Sequence, residues 1–363
     1  MTKVCIVAGA RPNFIKVAPL IRAIQNTDGM EYQLVYAGSE NDSTLEGSLF
    51  DDLQIPRPHA YLRVDSQSLN EITGRVMGEF DRYLENHPAD VVVVVDDLAS
   101  TMAAAIVTKK RGIRLAHLVA GTRSFDIKMP KEVNRLVIDG LSDLLFTAGV
   151  SNNSITNREG AEQSRVYMVG NILIDNLRFN HSRWQKPDVM DQLGLKEGEY
   201  VVFTVNRKAL MGDDSKLKSL LEHMIKACEE NGGKSIPIVA PLRGLAKDVV
   251  SRILPASPCL HLVPSLPYLQ FGYLTSHAMG VVTDSGNVAE EATFNGVPCI
   301  TLNSYTEHIE TVKTGSNVLV GEDAAQLYAA MRDLMAGNWK KSSLPERWDG
   351  RTAERIVRIL MND

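Results

Sequence analysis

The sequence predicts an α/β protein made of two Rossmann-like, doubly wound domains facing one another across a cleft. Three observations predict this. Short β-branched runs alternate with segments of helical period along both halves of the chain, the pattern of parallel sheets with crossover helices. The run Val91–Val95 has no polar alternation, as a central strand covered on both faces requires. The alternation also pauses between Asn180 and Glu199, where polar residues and Pro187 interrupt it, and then restarts. With 363 residues, the chain is long for one domain and suited to two.

In order, the first half offers strands at 4–8, 33–36, 91–95, 114–118 and 144–146, with helices at 14–25, 69–86, 101–110 and 132–141. The second half offers strands at 200–203, 236–239, 261–263, 280–282, 299–302 and 318–320, again with helices between. The expected domains are 1–180 and 190–350, with a terminal helix in 351–363 able to return to the first. Doubly wound domains place ligands at the carboxyl ends of their strands, so function is sought in the loops that follow strands.

Composition excludes several classes of function. The charge of -5, with no block of Lys or Arg, gives no footprint for nucleic acid. No apolar run reaches the roughly 18 residues of a membrane span, and residues 4–9 at the start are too short and strand-like for a signal peptide. Membrane insertion is therefore not expected, and a cytoplasmic location is. Cys5, Cys228, Cys259 and Cys299 are widely spaced and read as buried, reduced thiols. No His, Cys or carboxylate spacing specifies a metal, and no cofactor is expected.

Three loops carry candidate chemistry. After the first strand, Gly9-Ala10-Arg11-Pro12-Asn13 opens a helix that contains Lys16. A glycine turn, a helix N-terminus and two cations suit a phosphate, although a solvated turn explains the motif equally well. After the central strand, Asp96-Asp97 reads either as an acid/base or sugar-binding pair or as a cap for the next helix. Later, Thr283-Asp284-Ser285-Gly286-Asn287 precedes Glu290-Glu291. Its hydroxyls and helix start suit a phosphate, and a carboxylate one turn on suits a ribose; a cap accounts for Ser285 alone. His117 and His308 stand in or near such loops, and lone histidines are usually structural.

Together these segments resemble the non-hydrolysing UDP-N-acetylglucosamine 2-epimerase family over nearly the whole chain. Gly9-Ala10-Arg11-Pro12 with residues 15–21 is similar to that family's opening G-T-R-P-E-x-I-K-x-A-P. Residues 116–124 resemble H-V-E-A-G-L-R-S, residues 130–135 resemble P-E-E-x-N-R, and residues 169–175 resemble V-G-N-T-V-I-D. Residues 267–271, 283–286 with Glu290-Glu291, and Thr306-Glu307 match later segments in order. The resemblance implies a glycosyltransferase-B-like fold, a homodimer and a UDP-sugar of the UDP-N-acetylhexosamine type in the cleft. It implies Phe271 facing uracil, Glu291 the ribose, and Ser285 and Gly286 the diphosphate, joined by Arg11. Lys16, Arg135, Asn206, Arg207 and Asn287 complete the expected binding set. The implied reaction abstracts the C2 proton as UDP leaves C1, then returns UDP and a proton to the opposite face.

The chain departs from the family where that reaction needs its acids. Val119 and Lys131 stand where the resemblance implies catalytic glutamates, and of that trio only Asp97 remains. Asn206 replaces a phosphate-facing histidine, Asn303 and His308 stand near a lost arginine, and Gly38-Ser39 and Arg243 replace other family residues. The candidate catalytic residues are therefore Asp97, Glu132, Asp126 and His117. Three readings stay open: a 2-epimerase or a variant of its chemistry, on a neutral or an acidic UDP-sugar; a transferase or hydrolase; and a UDP-sugar-binding protein without turnover.

Overall fold

The computed structural model describes residues 1–160, 165–233, 235–254 and 257–362; Asp363, the end of the expected terminal segment 351–363, lies outside them. The chain divides into two compact units, Met1–Phe179 with Glu346–Asp363, and Asn180–Pro345.

In the first unit the strands are β1 (Thr2–Ala8), β2 (Met30–Tyr36), β3 (Ala60–Tyr61), β4 (Val91–Val95), β5 (Arg114–Ala120), β6 (Leu144–Thr147) and β7 (Arg165–Met168). They form one parallel sheet in the order β3-β2-β1-β4-β5-β6-β7. All five valines of β4 are buried, and Val92 and Val94 pack with Phe80 and Ala104 on one face of the sheet. Burying each such side chain is worth about 1.5 to 3 kcal/mol.

The second unit has β8 (Val201–Phe203), β9 (Ile238–Pro241), β10 (Leu260–Val263), β11 (Gly280–Thr283), β12 (Cys299–Thr301) and β13 (Asn317–Leu319). Their order, again all parallel, is β10-β9-β8-β11-β12-β13. Val201 and Phe203 enter the apolar layer on one face, and Tyr200 and Val202 the layer on the other.

In each sheet the winding reverses beside the first strand, so the switch points fall between β1 and β4 and between β8 and β11. Ligand crevices of doubly wound sheets open there, outside the carboxyl ends of the strands. The loops singled out in the sequence follow these four strands.

Several elements differ from the expectation. β2 starts three residues earlier than residue 33, while β3 and β7 were not expected. β3 has two residues and β7 is an edge strand with an exposed arginine, so neither carries a readable apolar pattern. The helix Val150–Arg158 buries only Asn152 and Thr156, which leaves no apolar stripe to read.

The last helix, Thr352–Asn362, packs on Arg11–Gln25 within the first unit. Asp175 fastens its start: Oδ1 accepts the Thr352 N–H at 3.1 Å and Oδ2 the Ala353 N–H at 2.7 Å. All four cysteines are free and buried, and burial pushes the Cys5 thiol up to about 12. Among the described residues no helix is long and apolar enough to cross a membrane.

Candidate functional site

One polar cluster forms at each switch point. In the first unit, Gly9 passes so close to the helix Ala99–Lys110 that a Cβ would lie 2.1 Å from Ser100 Oγ. Only glycine lets this turn close. The Gly9 N–H donates to Asn13 Oδ1 at 2.8 Å, and Asn13 Nδ2 donates to Asp96 Oδ2 at 2.9 Å. Lys16 Nζ pairs with Asp96 Oδ1 at 2.6 Å. Arg11 turns to Glu46, its Nε donating to Oε2 at 2.6 Å and its Nη2 to Oε1. Both cations of the expected phosphate neighbourhood therefore face protein carboxylates.

At the end of β4 the backbone of Asp96 is left-handed (φ 59°), which sends the carboxylates of Asp96 and Asp97 to different partners. Neither caps the following helix, so the capping alternative fails. Leu98 is the N-cap residue, and its N–H donates to Thr101 Oγ1 at 3.0 Å.

The helix Pro130–Leu141 supplies the rest of this cluster by burying its charged face. Glu132, Arg135 and Asp139 recur at helical spacing and are all buried, whereas Val133 and Leu136 are 42% and 40% exposed. Arg135 donates to Asp97 Oδ2 from Nε at 2.8 Å and pairs with it through Nη2 at 2.6 Å, while Lys131 Nζ lies 3.6 Å from Oδ1. Asn134 Nδ2 donates to the Asp97 carbonyl at 2.8 Å. Burial alone would push the Asp97 carboxyl up; Lys131, Arg135 and Lys16 together outweigh it and hold the group below the usual carboxylate range.

Glu132 organises the preceding loop. It accepts the Ser124 N–H and hydroxyl, both at 2.9 Å, the Phe125 N–H at 3.1 Å, and Arg135 Nη1 at 3.0 Å. Those donors overcome burial and lower its carboxyl as well. His117 is buried, with Nδ1 2.5 Å from Asp139 Oδ1 and Nε2 2.9 Å from the Asp96 carbonyl. Arg123 Nη2 pairs with Asp139 Oδ2 at 2.7 Å. Asp126 is exposed and accepts the Lys128 N–H at 3.0 Å within its own loop. The structure thus gathers Lys16, Asp97, His117, Glu132 and Arg135 around the turn after β4; Asp126 reaches them only through its backbone, its N–H donating at 3.3 Å to the Ser124 hydroxyl that Glu132 accepts, while Arg11 turns to Glu46. Val119 sits on β5 where the register with β6 shifts, at φ 71°, a strained conformation for a β-branched residue.

In the second unit, Asp284 fastens the loop after β8 to the loop after β11. Its carboxylate accepts the Asn206 N–H at 2.9 to 3.0 Å and the Arg207 N–H at 2.7 Å. Thr204 and Thr283 join through their hydroxyls at 2.7 Å. Ser285 is the N-cap of the helix Gly286–Asn295, its Oγ accepting the Val288 N–H at 3.5 Å, so the capping reading of this residue holds. Gly286 and Asn287 form the first turn, and Glu291 is buried farther along. Phe271 is half-buried on the helix Tyr268–Ser276, which packs against Gly286–Asn295. Arg207 Nη2 donates to Glu322 Oε1 at 2.6 Å and to the Leu302 carbonyl at 3.0 Å. A helix N-terminus beside an arginine and an asparagine is equipped for an anion.

Sequence reasoning missed Asp139, Asn134 and Arg123 as partners of the first network, and Glu322 in the second. Asp139 recurs seven residues after Glu132, which is a legible signal once the charged face is taken as the buried one. Glu322 lies in a loop far along the chain and gives no such signal.

A sequence-family model described as UDP-N-acetylglucosamine 2-epimerase matches residues 22–361. The UDP-N-acetylglucosamine 2-epimerase of Methanocaldococcus jannaschii is 31% identical over 367 residues, covering 99% of this chain and 98% of its own. The UDP-2,3-diacetamido-2,3-dideoxy-D-glucuronate 2-epimerase of Pseudomonas aeruginosa is 32% identical over 323 residues, 88% of each chain. Among solved structures, the M. jannaschii UDP-GlcNAc 2-epimerase in complex with UDP-GlcNAc and UDP matches with a TM-score of 0.88 over 100% of both chains. A ugt transferase from Siraitia grosvenorii in complex with UDP, 12% identical, matches in fold with a TM-score of 0.60 over 99% of this chain and 100% of its own. The fold class is the α/β, glycosyltransferase-B-like one.

Proposed function

The chain belongs to the UDP-N-acetylglucosamine 2-epimerase family, and from that premise we propose that it binds a UDP-sugar of the UDP-N-acetylhexosamine type and acts on it as a 2-epimerase-type isomerase. The second unit takes the UDP moiety, and the first carries the groups that act on the sugar. The observation that carries this reading is the fastening of Asn206 and Arg207 by Asp284 to the loop that starts the helix Gly286–Asn295. It assembles donors for a diphosphate, with Glu291 on the same helix for the ribose.

In the reaction, Asp97 is the carboxylate placed to receive the C2 proton. Its pairing with Arg135 and Lys131 makes it a weak base, so proton transfer is slow unless substrate binding draws a cation away. Lys131, 59% exposed and more distant from Asp97 than Arg135 is, supports an acidic sugar as the substrate, whose carboxylate would compete for that ammonium. A second reading, UDP-sugar binding without turnover, is favoured by the valine at position 119, which moves no proton. The exposed Phe125, Ile127, Val133 and Leu136 of the first unit support a homodimer through this unit.

Calorimetry tests the nucleotide half of the proposal. UDP should bind, and Glu291→Ala should weaken binding by about 1 to 3 kcal/mol, the usual cost of losing hydrogen bonds to a charged group. The absence of heat with UDP and with every UDP-sugar tried at about millimolar concentration would sink the reading.

A further inference from the structure

One residue of the second unit ties together the loops at the carboxyl ends of four neighbouring strands. Arg207 follows β8, and its backbone N–H donates at 2.7 Å to the carboxylate of Asp284, in the loop after β11. Its guanidinium continues across the sheet. Nη2 donates to the Leu302 carbonyl, just past β12, at 3.0 Å, and to Glu322 Oε1, beyond β13, at 2.6 Å. Because β8, β11, β12 and β13 are neighbours in that order, the arginine lies across the strand ends beside the start of the helix Gly286–Asn295.

Glu322 is itself held from two sides. Gly321, in the left-handed region at φ 63°, turns the chain after β13, and its N–H donates to the Asn303 carbonyl at 3.1 Å, which fastens this turn to the loop after β12. The other carboxylate oxygen, Oε2, accepts Lys216 Nζ at 2.7 Å from the first turn of the helix Asp214–Glu229. The hydrogen bond from Lys216, opposed by burial and joined by the charge of Arg207, holds the Glu322 carboxyl below its ordinary range. Near neutral pH it is therefore an ionised acceptor.

An arginine that must be ordered when an anion arrives gives up rotamer freedom, and that cost is subtracted from affinity. Here both hydrogens of Nη2 are committed, one to Glu322 and one to Leu302, so the planar guanidinium is fixed before any ligand is present. Charge alone gives the opposite expectation for Glu322. A carboxylate this close to an anion site repels the anion, so its removal would tighten the binding of a phosphate. The sign of the change on removing Glu322 separates the two effects.

We propose that Glu322, backed by Lys216, is a positioning residue for nucleotide binding: it holds the guanidinium of Arg207 in the orientation that meets a diphosphate at the start of the helix Gly286–Asn295. The carboxylate acts through the arginine and touches no part of the ligand. Lys216 offsets its charge, so that the trio of side chains stays net positive toward the anion. The inference rests on the UDP-binding reading above and assigns that site a cation fixed in advance.

The test is calorimetry of the full chain with UDP and with uridine, which lacks the phosphates, for the parent, Glu322→Ala, Glu322→Gln, Glu322→Asp, Arg207→Ala and the double variant Arg207→Ala with Glu322→Ala. Glu322→Ala should weaken UDP about three- to tenfold, the range for ordering one long side chain on binding, and leave uridine unchanged. Glu322→Gln, whose amide oxygen still accepts from Nη2, should recover most of the loss. Glu322→Asp keeps the charge but draws the acceptor back by one methylene, and should weaken UDP as well. With Arg207 already replaced by alanine, removing Glu322 should cost nothing further, because the group it positions is gone. UDP binding that is unchanged or tighter in Glu322→Ala overturns the inference and leaves the UDP reading intact. So does an equal loss for uridine, or a loss that persists in full without Arg207; where uridine binds too weakly to measure, the double variant decides. Should Glu322→Ala not fold, Glu322→Asp takes its place, and unchanged UDP affinity there overturns the inference. Failure of the parent to bind UDP removes the reading on which it rests.

Discussion

If the chain acts on a sugar as proposed, Val119 and Lys131 limit the chemistry. Positioned acid/base groups typically contribute about 10²- to 10⁴-fold each. At two positions where family resemblance implies glutamates, the chain carries a valine in a left-handed conformation and a lysine held 3.6 Å from Asp97. Turnover of UDP-N-acetylglucosamine is therefore expected to be at least about a hundredfold below that of a family member with the full set. Proton NMR in D2O measures it, because exchange at C2 reports abstraction even without net inversion. Val119→Glu combined with Lys131→Glu should raise the rate. The second change replaces an attractive charge beside Asp97 with a repulsive one, which raises the proton affinity of the carboxylate pair. Either change alone should do little, since such groups act as a unit. Near-normal turnover by the unaltered protein would show that other groups, Glu132 first, have taken over the proton transfers.

Two helices show how elements carry the site. Pro130–Leu141 turns its charges inward, and through Arg135, Asn134 and Asp139 it holds the turn after β4 and the ring of His117 in place. The terminal helix Thr352–Asn362 is tied within the first unit by the carboxylate of Asp175, which accepts its two leading N–H groups, and by Arg355, whose Nη1 donates to the Val169 carbonyl at 2.9 Å. Asp175 does the work of an N-cap from 177 positions away. Replacing Asp175 with alanine should cost about 1 to 2 kcal/mol, as the loss of a cap does, and lower the melting temperature in a thermal scan followed by circular dichroism. An unchanged melting temperature would mean that apolar packing and the Arg355 bond hold the helix without Asp175.

For the whole molecule, the same winding occurs twice, and each copy brings its chemistry to its own switch point. The inverted helix leaves Val133 and Leu136 exposed, as Phe125 and Ile127 are in the loop before it, apolar side chains suited to a second copy. Light scattering should therefore give roughly 80 kDa, twice the 40.0 kDa of one chain. A mass of one chain would count against the dimer, and against these side chains as its contact.

The sequence by itself determined the fold class, the central strands and the loops in which polar residues gather. Periodicity and the all-valine β4 report burial directly, and the loop motifs are contiguous along the chain. It also marked Asp97, Glu132, Ser285 and Glu291 as polar groups in such loops or on the helices they open. Only the tertiary structure decided their partners. That Lys16 meets Asp96, that Arg11 meets Glu46, and that Asp284 ties the Asn206 loop to the helix start are pairings across 80, 35 and 78 positions. The same holds for the bond from Arg207 to Glu322. Hydrogen bonds and ion pairs act over a few ångströms of space, and separation along the chain leaves no periodic trace of which loops the sheet will bring together.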